Sequence, residues 1–452
     1  MIILRKLLII SFILILSICF FSCSASTDSN KNNDTTTSEP FANVPETQDI
    51  ILYEVNLRAF SPSGDFQGVI ARLDSIKALS VNVIWLMPIY PVGDTNSVNS
   101  PYCVKNYLQV NPEFGSLKDL KTLIDTAHKK NMAVILDWVA NHTSWDNPWI
   151  KNRSWYTQEN GEIISPKGTN WSDVADLNYD NADMRSAMIE ALKYWILEAN
   201  IDGYRCDAAD YVPFDFWQQA LDSLELIPNR KLILLAEGSR HDHFTAGFQM
   251  IYAWDFYTKL KQVFSGANAT GLYTTHMSEY RNMPEGKQRL RYTTNHDGSA
   301  WEAAPVELFN GINGALAASV ITIYMGGVPL IYGSQEVGTA SRVPIFSNSQ
   351  IPWDQNPEMV QAYKDILGIY TISEAAKGGS LTDYSTNETV CFSKKSNPEE
   401  ILVVVNVRDY PVDFTLPDAL QNSTWTNTIS QRSETVSQTY RLNPFEYKIL
   451  KR

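Results

Sequence analysis

The chain has 452 residues, 44% hydrophobic and 19% charged, with 37 basic against 50 acidic side chains and a net charge of −13. That length exceeds one ordinary core and admits about two to four domains, or one large barrel with attachments. The acidic balance repels phosphates, so nucleic acid is excluded as a partner, while a neutral polymer is not penalised.

Arg5-Lys6 precede an apolar run from Leu7 to Phe21. This reads as a secretory signal over residues 1–22, short for a spanning helix. Cys23 follows the run and resembles a bacterial lipobox cysteine, although Phe20 and Phe21 are atypical there. The expectation is a secreted protein, lipid-anchored to the bacterial cell envelope through Cys23; a plain signal or an uncleaved anchor is the alternative. Residues 23–47 are rich in Ser, Thr, Asn and Asp and read as a flexible tether. Cys103, Cys206 and Cys391 lack the spacing of a zinc or redox motif and read as buried free thiols.

From about residue 50, short apolar strands alternate with helical stretches. Strands are expected at Ile50–Val55, Val81–Leu86, Met132–Asp137, Gly203–Asp207, Leu232–Glu237, Phe248–Ala253, Leu290–Asn295 and Val328–Gly333. Helices are expected at Val69–Leu79, Leu117–Lys130 and Ala182–Ala199. Eight such repeats suit an α/β fold, a closed (β/α)8 TIM barrel spanning 48–142 and 181–371. Residues 143–180, after the third strand, are too long for an ordinary loop and read as an inserted subdomain. Past residue 372 only strands are expected, at Glu388–Phe392, Ile401–Val407, Val412–Leu416, Thr439–Leu442 and Phe445–Leu450, giving a C-terminal antiparallel β-sandwich domain over 372–452.

Several barrel strands end in polar residues: Asp137 with Asn141-His142, Arg205 with Asp207, Glu237, Asn295-His296-Asp297, and Gln335-Glu336. Each alone is weak, since a strand-end acid is often a helix cap. Converging acids repel one another and are costly without a function. Gly203, Arg205 and Asp207 alternate onto one strand face. Arg205 is expected to lower the pKa of Asp207 and keep it ionised, able to attack an anomeric carbon. Burial and nearby acids are expected to raise Glu237 and make it the proton donor.

Four segments occur in order: Asp137-Trp138-Val139-Ala140-Asn141-His142, Gly203-Tyr204-Arg205-Cys206-Asp207-Ala208, Ala236-Glu237-Gly238 and Thr294-Asn295-His296-Asp297. They resemble the four signature regions of the α-amylase superfamily, glycoside hydrolase family 13. Gly64-Asp65-Phe66-Gln67-Gly68 and Asn111-Pro112-Glu113-Phe114-Gly115 extend the similarity, which covers roughly residues 48 to 452.

The resemblance implies a retaining hydrolase of starch-like α-glucans or maltooligosaccharides. It implies Asp207 as nucleophile, Glu237 as acid/base and Asp297 as the third carboxylate. It implies Arg205 as partner of the nucleophile, Tyr102 as a ring stacking on the sugar, and His142 and His296 as its hydrogen-bonding histidines. His128, His241, His243 and His276 lack that context and read as structural. The family often holds a structural Ca2+, for which Asn141 and Asp176 match ligands; Ser61–Asp65 is too short and too poor in acids for a second ion.

One departure is Asp210, where relatives place Lys or His facing the leaving group. Asp210 is expected to bind substrate hydroxyls on that side, or to cap the following helix. A transglycosylase or an oligosaccharide α-glucosidase of neopullulanase type is the alternative on the same site. A non-catalytic glucan-binding lipoprotein is the remote one.

Overall fold

The computed structural model describes residues 39–436 and 438–452; the expected signal, Cys23 and most of the tether lie outside them. Eight parallel strands close into a barrel: Leu52–Val55, Val83–Leu86, Ala133–Val139, Gly203–Asp207, Ile233–Ala236, Met250–Tyr252, Gln288–Arg291 and Val328–Tyr332. Each expected strand is present. The seventh begins and ends earlier than expected, because Arg289 and Arg291 lie inside it and hide its start.

Strand alternation divides the side chains between two cores. Leu52, Trp85, Ile135, Leu235 and Leu330 point inward and fill the barrel. Tyr53, Ile84, Leu136, Tyr204 and Ile331 point outward beneath the helices. Burying each such side chain stabilises the fold by about 1.5–3 kcal/mol. The helices start where polar residues satisfy their first amides. Asp65 caps Phe66–Lys77, Ser116 and Asp119 form a capping box on Leu117–Lys129, and Asn181 caps Ala182–Glu198. Gly203 opens the fourth strand with φ +148°; a Cβ there would lie 1.9 Å from the Ile233 carbonyl oxygen, so this close strand approach requires glycine.

The insert carries a short antiparallel pair, His142–Ser144 with Val174–Asp176, and a smaller hairpin, Gln158–Glu159 with Glu162–Ile163. The C-terminal part is a six-stranded antiparallel sheet beside a two-stranded one, around Phe414, Trp425, Leu442 and Leu450. Three of its strands, Ser380–Asp383, Ser423–Asn427 and Ser433–Val436, were not expected. It is fastened to the barrel by Arg408, which donates to the carbonyls of Val263 and Ala267 at 2.7 Å each, and by Phe445 stacked on Phe264.

The tether ends sooner than expected. Phe41 stacks on His128 at 4.3 Å and Val44 is buried against the barrel, so residues 41–47 belong to the folded part. Among the described residues no helix is long and apolar enough to cross a membrane. Cys103, Cys206 and Cys391 are buried and free.

Candidate active site

The third and fourth strands pair in a register that sets Asp137 beside Arg205 and Val139 beside Asp207. Arg205 points into the barrel at the carboxyl end and is fully buried. Its Nη1 donates to Asp137 Oδ1 (2.7 Å) and Asp207 Oδ1 (2.9 Å). Its Nη2 lies 2.7 Å from Glu237 Oε1, an ion pair without the alignment of a hydrogen bond. Glu237 Oε2 accepts the backbone amide of Ala208 at 2.8 Å, the residue after Asp207. That turn is tight, with Ala208 at φ +45°.

Burial raises the pKa of Asp207, Arg205 opposes it, and Glu237 and Asp137 raise it further. The expectation that Arg205 holds Asp207 low is therefore corrected. Three carboxylates share one guanidinium, and desolvation with mutual repulsion outweighs the single cation.

His296 sits on the other wall. Its Nδ1 lies 2.5 Å from Glu54 Oε1, and its Nε2 lies 2.8 Å from the Tyr102 hydroxyl. That hydroxyl donates to Asp137 Oδ2 (3.1 Å), so it accepts from Nε2, and both imidazole nitrogens donate. Burial disfavours the charged ring, yet Asp297 and Glu54 prevail and raise its pKa to about 9. His142 is opposite in character: burial pushes it down to about 4, leaving a neutral ring.

A cleft of about 980 Å3 opens over these groups, with Tyr102, His142, Asp207, Glu237, His296 and Asp297 in its lining. Asp297 is half-exposed within it. Trp171 meets the His142 ring edge-on at 5.5 Å and packs on Tyr211 at 5.6 Å. Trp254 and Trp301 stand exposed on the rim.

Glu54, Trp85 and Tyr252 were missed as site residues. Trp85 Nε1 donates to Asp137 Oδ2 (3.2 Å) and Arg205 Nε donates to the Tyr252 hydroxyl (3.3 Å). The signal for Glu54 was an acid at an inward position of an apolar strand, two residues after Leu52.

Asp210 borders the cleft, but its oxygens are taken by protein donors rather than left to a sugar. Oδ1 lies 2.7 Å from His243 Nε2, and Oδ2 accepts the Ser239 amide at 3.0 Å. Asn141 and Asp176 lie on neighbouring segments beside the insert, where burial raises Asp176. The Asn141 amide nitrogen is turned to His142 Nδ1 at 3.2 Å. Among the described residues no three His, Cys, Asp or Glu gather as metal ligands. Asn141 and Asp176 bring three side-chain oxygens of the six to eight that Ca2+ takes, so an ion held by them would draw the rest from backbone carbonyls and water.

A closed parallel barrel with acids gathered at the strand ends beneath an open cleft defines a barrel enzyme built for acid–base chemistry. The chain belongs to the alpha-amylase family of glycoside hydrolases: the model of the alpha-amylase catalytic domain matches residues 25–167 and 167–375. It is 29% identical over 342 residues to Alpha-amylase 3 of Dictyoglomus thermophilum, covering 67% of this chain and 66% of that protein, just under two thirds of the relative's length. It is 27% identical over 308 residues to the probable oligo-1,6-glucosidase 2 of Bacillus subtilis, covering 58% of this chain and 53% of that one. The crystal structure of an alpha-amylase from Lactobacillus plantarum superposes with a TM-score of 0.80 at 26% identity, covering 90% of this chain and 99% of that one.

Proposed function

We propose that this protein hydrolyses α-glucosidic bonds of starch-like glucans or maltooligosaccharides with retention of configuration. The observation that carries the reading is the placement of Asp207 and Glu237 on one guanidinium, with Glu237 also on the amide that follows Asp207. Retention needs two carboxyls only about 5–5.5 Å apart. Asp207 attacks the anomeric carbon, the glycosidic bond breaks, and Glu237 gives its proton to the departing oxygen. Water then enters, Glu237 takes a proton from it, and the covalent glucosyl ester on Asp207 is hydrolysed. Asp297 binds hydroxyls of the same sugar, and charged His296 donates to that sugar from Nε2 once this hydrogen turns away from the Tyr102 hydroxyl. Neutral His142 bonds a hydroxyl, and Tyr102 lies under the ring. Short α-1,6-linked oligosaccharides are the second reading, favoured by the name of the Bacillus subtilis relative.

The test is incubation with soluble starch and with maltoheptaose, read by reducing ends, product chromatography and the anomeric configuration of the first product. The expected product is the α-anomer. A β-anomer overturns retention, and unchanged reducing ends overturn hydrolysis. Longer products than the starting oligosaccharide assign the site to transfer.

We also propose that Cys23 carries a lipid anchor, supported by its place after the apolar run. A Cys23→Ser variant then moves from the membrane to the soluble fraction. Mature protein that starts elsewhere and carries no acyl group overturns this.

A further inference from the structure

The loops that follow Asp207 and Glu237 are stitched together by one half-buried carboxylate. Asp210 Oδ2 accepts the Ser239 amide (3.0 Å), while Oδ1 accepts the Arg240 amide (3.3 Å) and faces His243 Nε2 at 2.7 Å. The link is reciprocal, because Arg240 Nη1 donates to the Asp210 carbonyl (2.9 Å) and the Val212 carbonyl (3.3 Å). Between them, the Ala209 amide donates to the Glu237 carbonyl at 2.9 Å. Gly238 makes the approach possible: a Cβ there would lie 2.3 Å from Asp210 Oδ1 and 2.7 Å from His243 Nε2. His243 is fully buried and its Nδ1 has no partner, so Nε2 carries the hydrogen toward Asp210.

We infer that Asp210, His243 and Arg240 form a clamp that positions the Glu237 carboxyl for proton donation, and that Asp210 is not a sugar-binding residue. The inference rests on the proposed role of Glu237. No donor from a leaving sugar is needed to satisfy Asp210, since the protein already offers four hydrogens to its two oxygens, counting the Ser239 hydroxyl at 3.4 Å. Loosening this loop moves Glu237 relative to Asp207, and a shift near 1 Å costs about 100-fold in rate.

A displaced acid has a signature that a general loss of structure lacks. Maltoheptaose needs its leaving oxygen protonated; maltosyl fluoride, with a good leaving group, needs this far less. Asp210→Asn sets an amide NH2 either against the Ser239 amide or against the Arg240 amide and His243 Nε2, according to which oxygen it replaces. Its kcat/KM, which reads the first bond cleavage and not the later attack of water that also uses Glu237, is expected to fall about 100-fold on maltoheptaose and less than tenfold on the fluoride, with KM for maltoheptaose within about twofold. His243→Ala should repeat this pattern more weakly, and His243→Gln, which keeps a donor, should restore much of the rate. An equal loss on both substrates overturns the clamp, as does a raised KM with an altered product ladder, which would return Asp210 to the substrate. Should Asp210→Asn fail to fold, the two His243 variants decide by the same ratio. Glu237→Gln is the control: if its kcat/KM falls equally on both substrates, the acid assignment fails rather than the clamp.

Discussion

Two of the buried arginine clusters are balanced differently. Arg205 faces Asp137, Asp207 and Glu237, three acids on one guanidinium beside an open cleft. Arg291 instead faces one acid, Glu279, at 2.5 Å, with its guanidinium 3.9 Å over the Phe256 ring. The other Glu279 oxygen accepts the Phe256 amide at 3.0 Å, and Arg289 donates to the Glu279 and Tyr252 carbonyls. His276 beside Arg291 is driven down to about 3 by burial, Arg291 and Lys394, and so stays neutral. The second cluster satisfies its acid within the protein and serves the fold. The first keeps a surplus of acid that folding alone disfavours, which is the mark of a site retained for chemistry.

Breaking the first cluster should cost activity above all. Asp207→Ala or Glu237→Gln is expected to lower kcat on soluble starch by at least about 100-fold, up to about 10,000-fold. Circular dichroism should be unchanged. A well-folded Asp207→Ala protein with a tenth of the wild-type rate would falsify the assignment.

Breaking the second cluster should cost stability. Glu279→Gln leaves the Arg291 guanidinium buried without its carboxylate, which costs about 3–5 kcal/mol. The denaturant midpoint should fall while kcat of the folded fraction holds. An unmoved midpoint would erase the contrast between the clusters.

The same contrast explains what was legible in the sequence. Parallel strands buried on both faces read as unbroken apolar runs, so the barrel was visible. The seventh strand was displaced by the charges of Arg289 and Arg291, whose partners lie on other elements. Ser423–Asn427 and Ser433–Val436 read as loop because their exposed faces are Ser, Thr and Glu. The acids at strand ends were visible because an acid closing an apolar run stands out. Glu54 and the pairing of His243 with Asp210 were not, because each depends on a partner brought close only by the closed barrel. The misjudged direction for Asp207 came from setting Arg205, its neighbour on the strand, above burial, which prevails inside the closed barrel with Glu237 and Asp137 adding to the rise.

His296 offers a pH test of the first cluster. Its folded pKa, about 9, lies above its unfolded value of about 6.5. The stabilisation is therefore complete below pH 6.5 and is lost as pH rises through about 9, by on the order of 3 kcal/mol. Unfolding free energies at pH 6 and pH 10, compared between wild type and His296→Gln, should show a steeper alkaline loss in wild type. Parallel curves would place the positive charge elsewhere.

The smallest effect is also the sharpest, because its sign is opposite to that of an ordinary core mutation. Burial, Glu237 and Asp137 together hold Asp207 above its unfolded pKa, against Arg205. A carboxyl raised on folding binds protons more readily in the native state, so its ionised form costs stability near neutral pH. Asp207→Asn removes that charge and leaves Asp137 and Glu237 to balance Arg205, so no buried cation is stranded. The variant should be inactive yet more stable than wild type by about 0.5–2 kcal/mol at pH 7. The gain should vanish as pH falls below about 3.9, where unfolded Asp207 is protonated as well. Glu279→Gln, an equally conservative loss of one buried carboxylate, should move the midpoint the other way. Two falls in parallel would mean that Asp207 stabilises its cluster as Glu279 does, and the surplus of acid at the cleft would then carry no functional meaning.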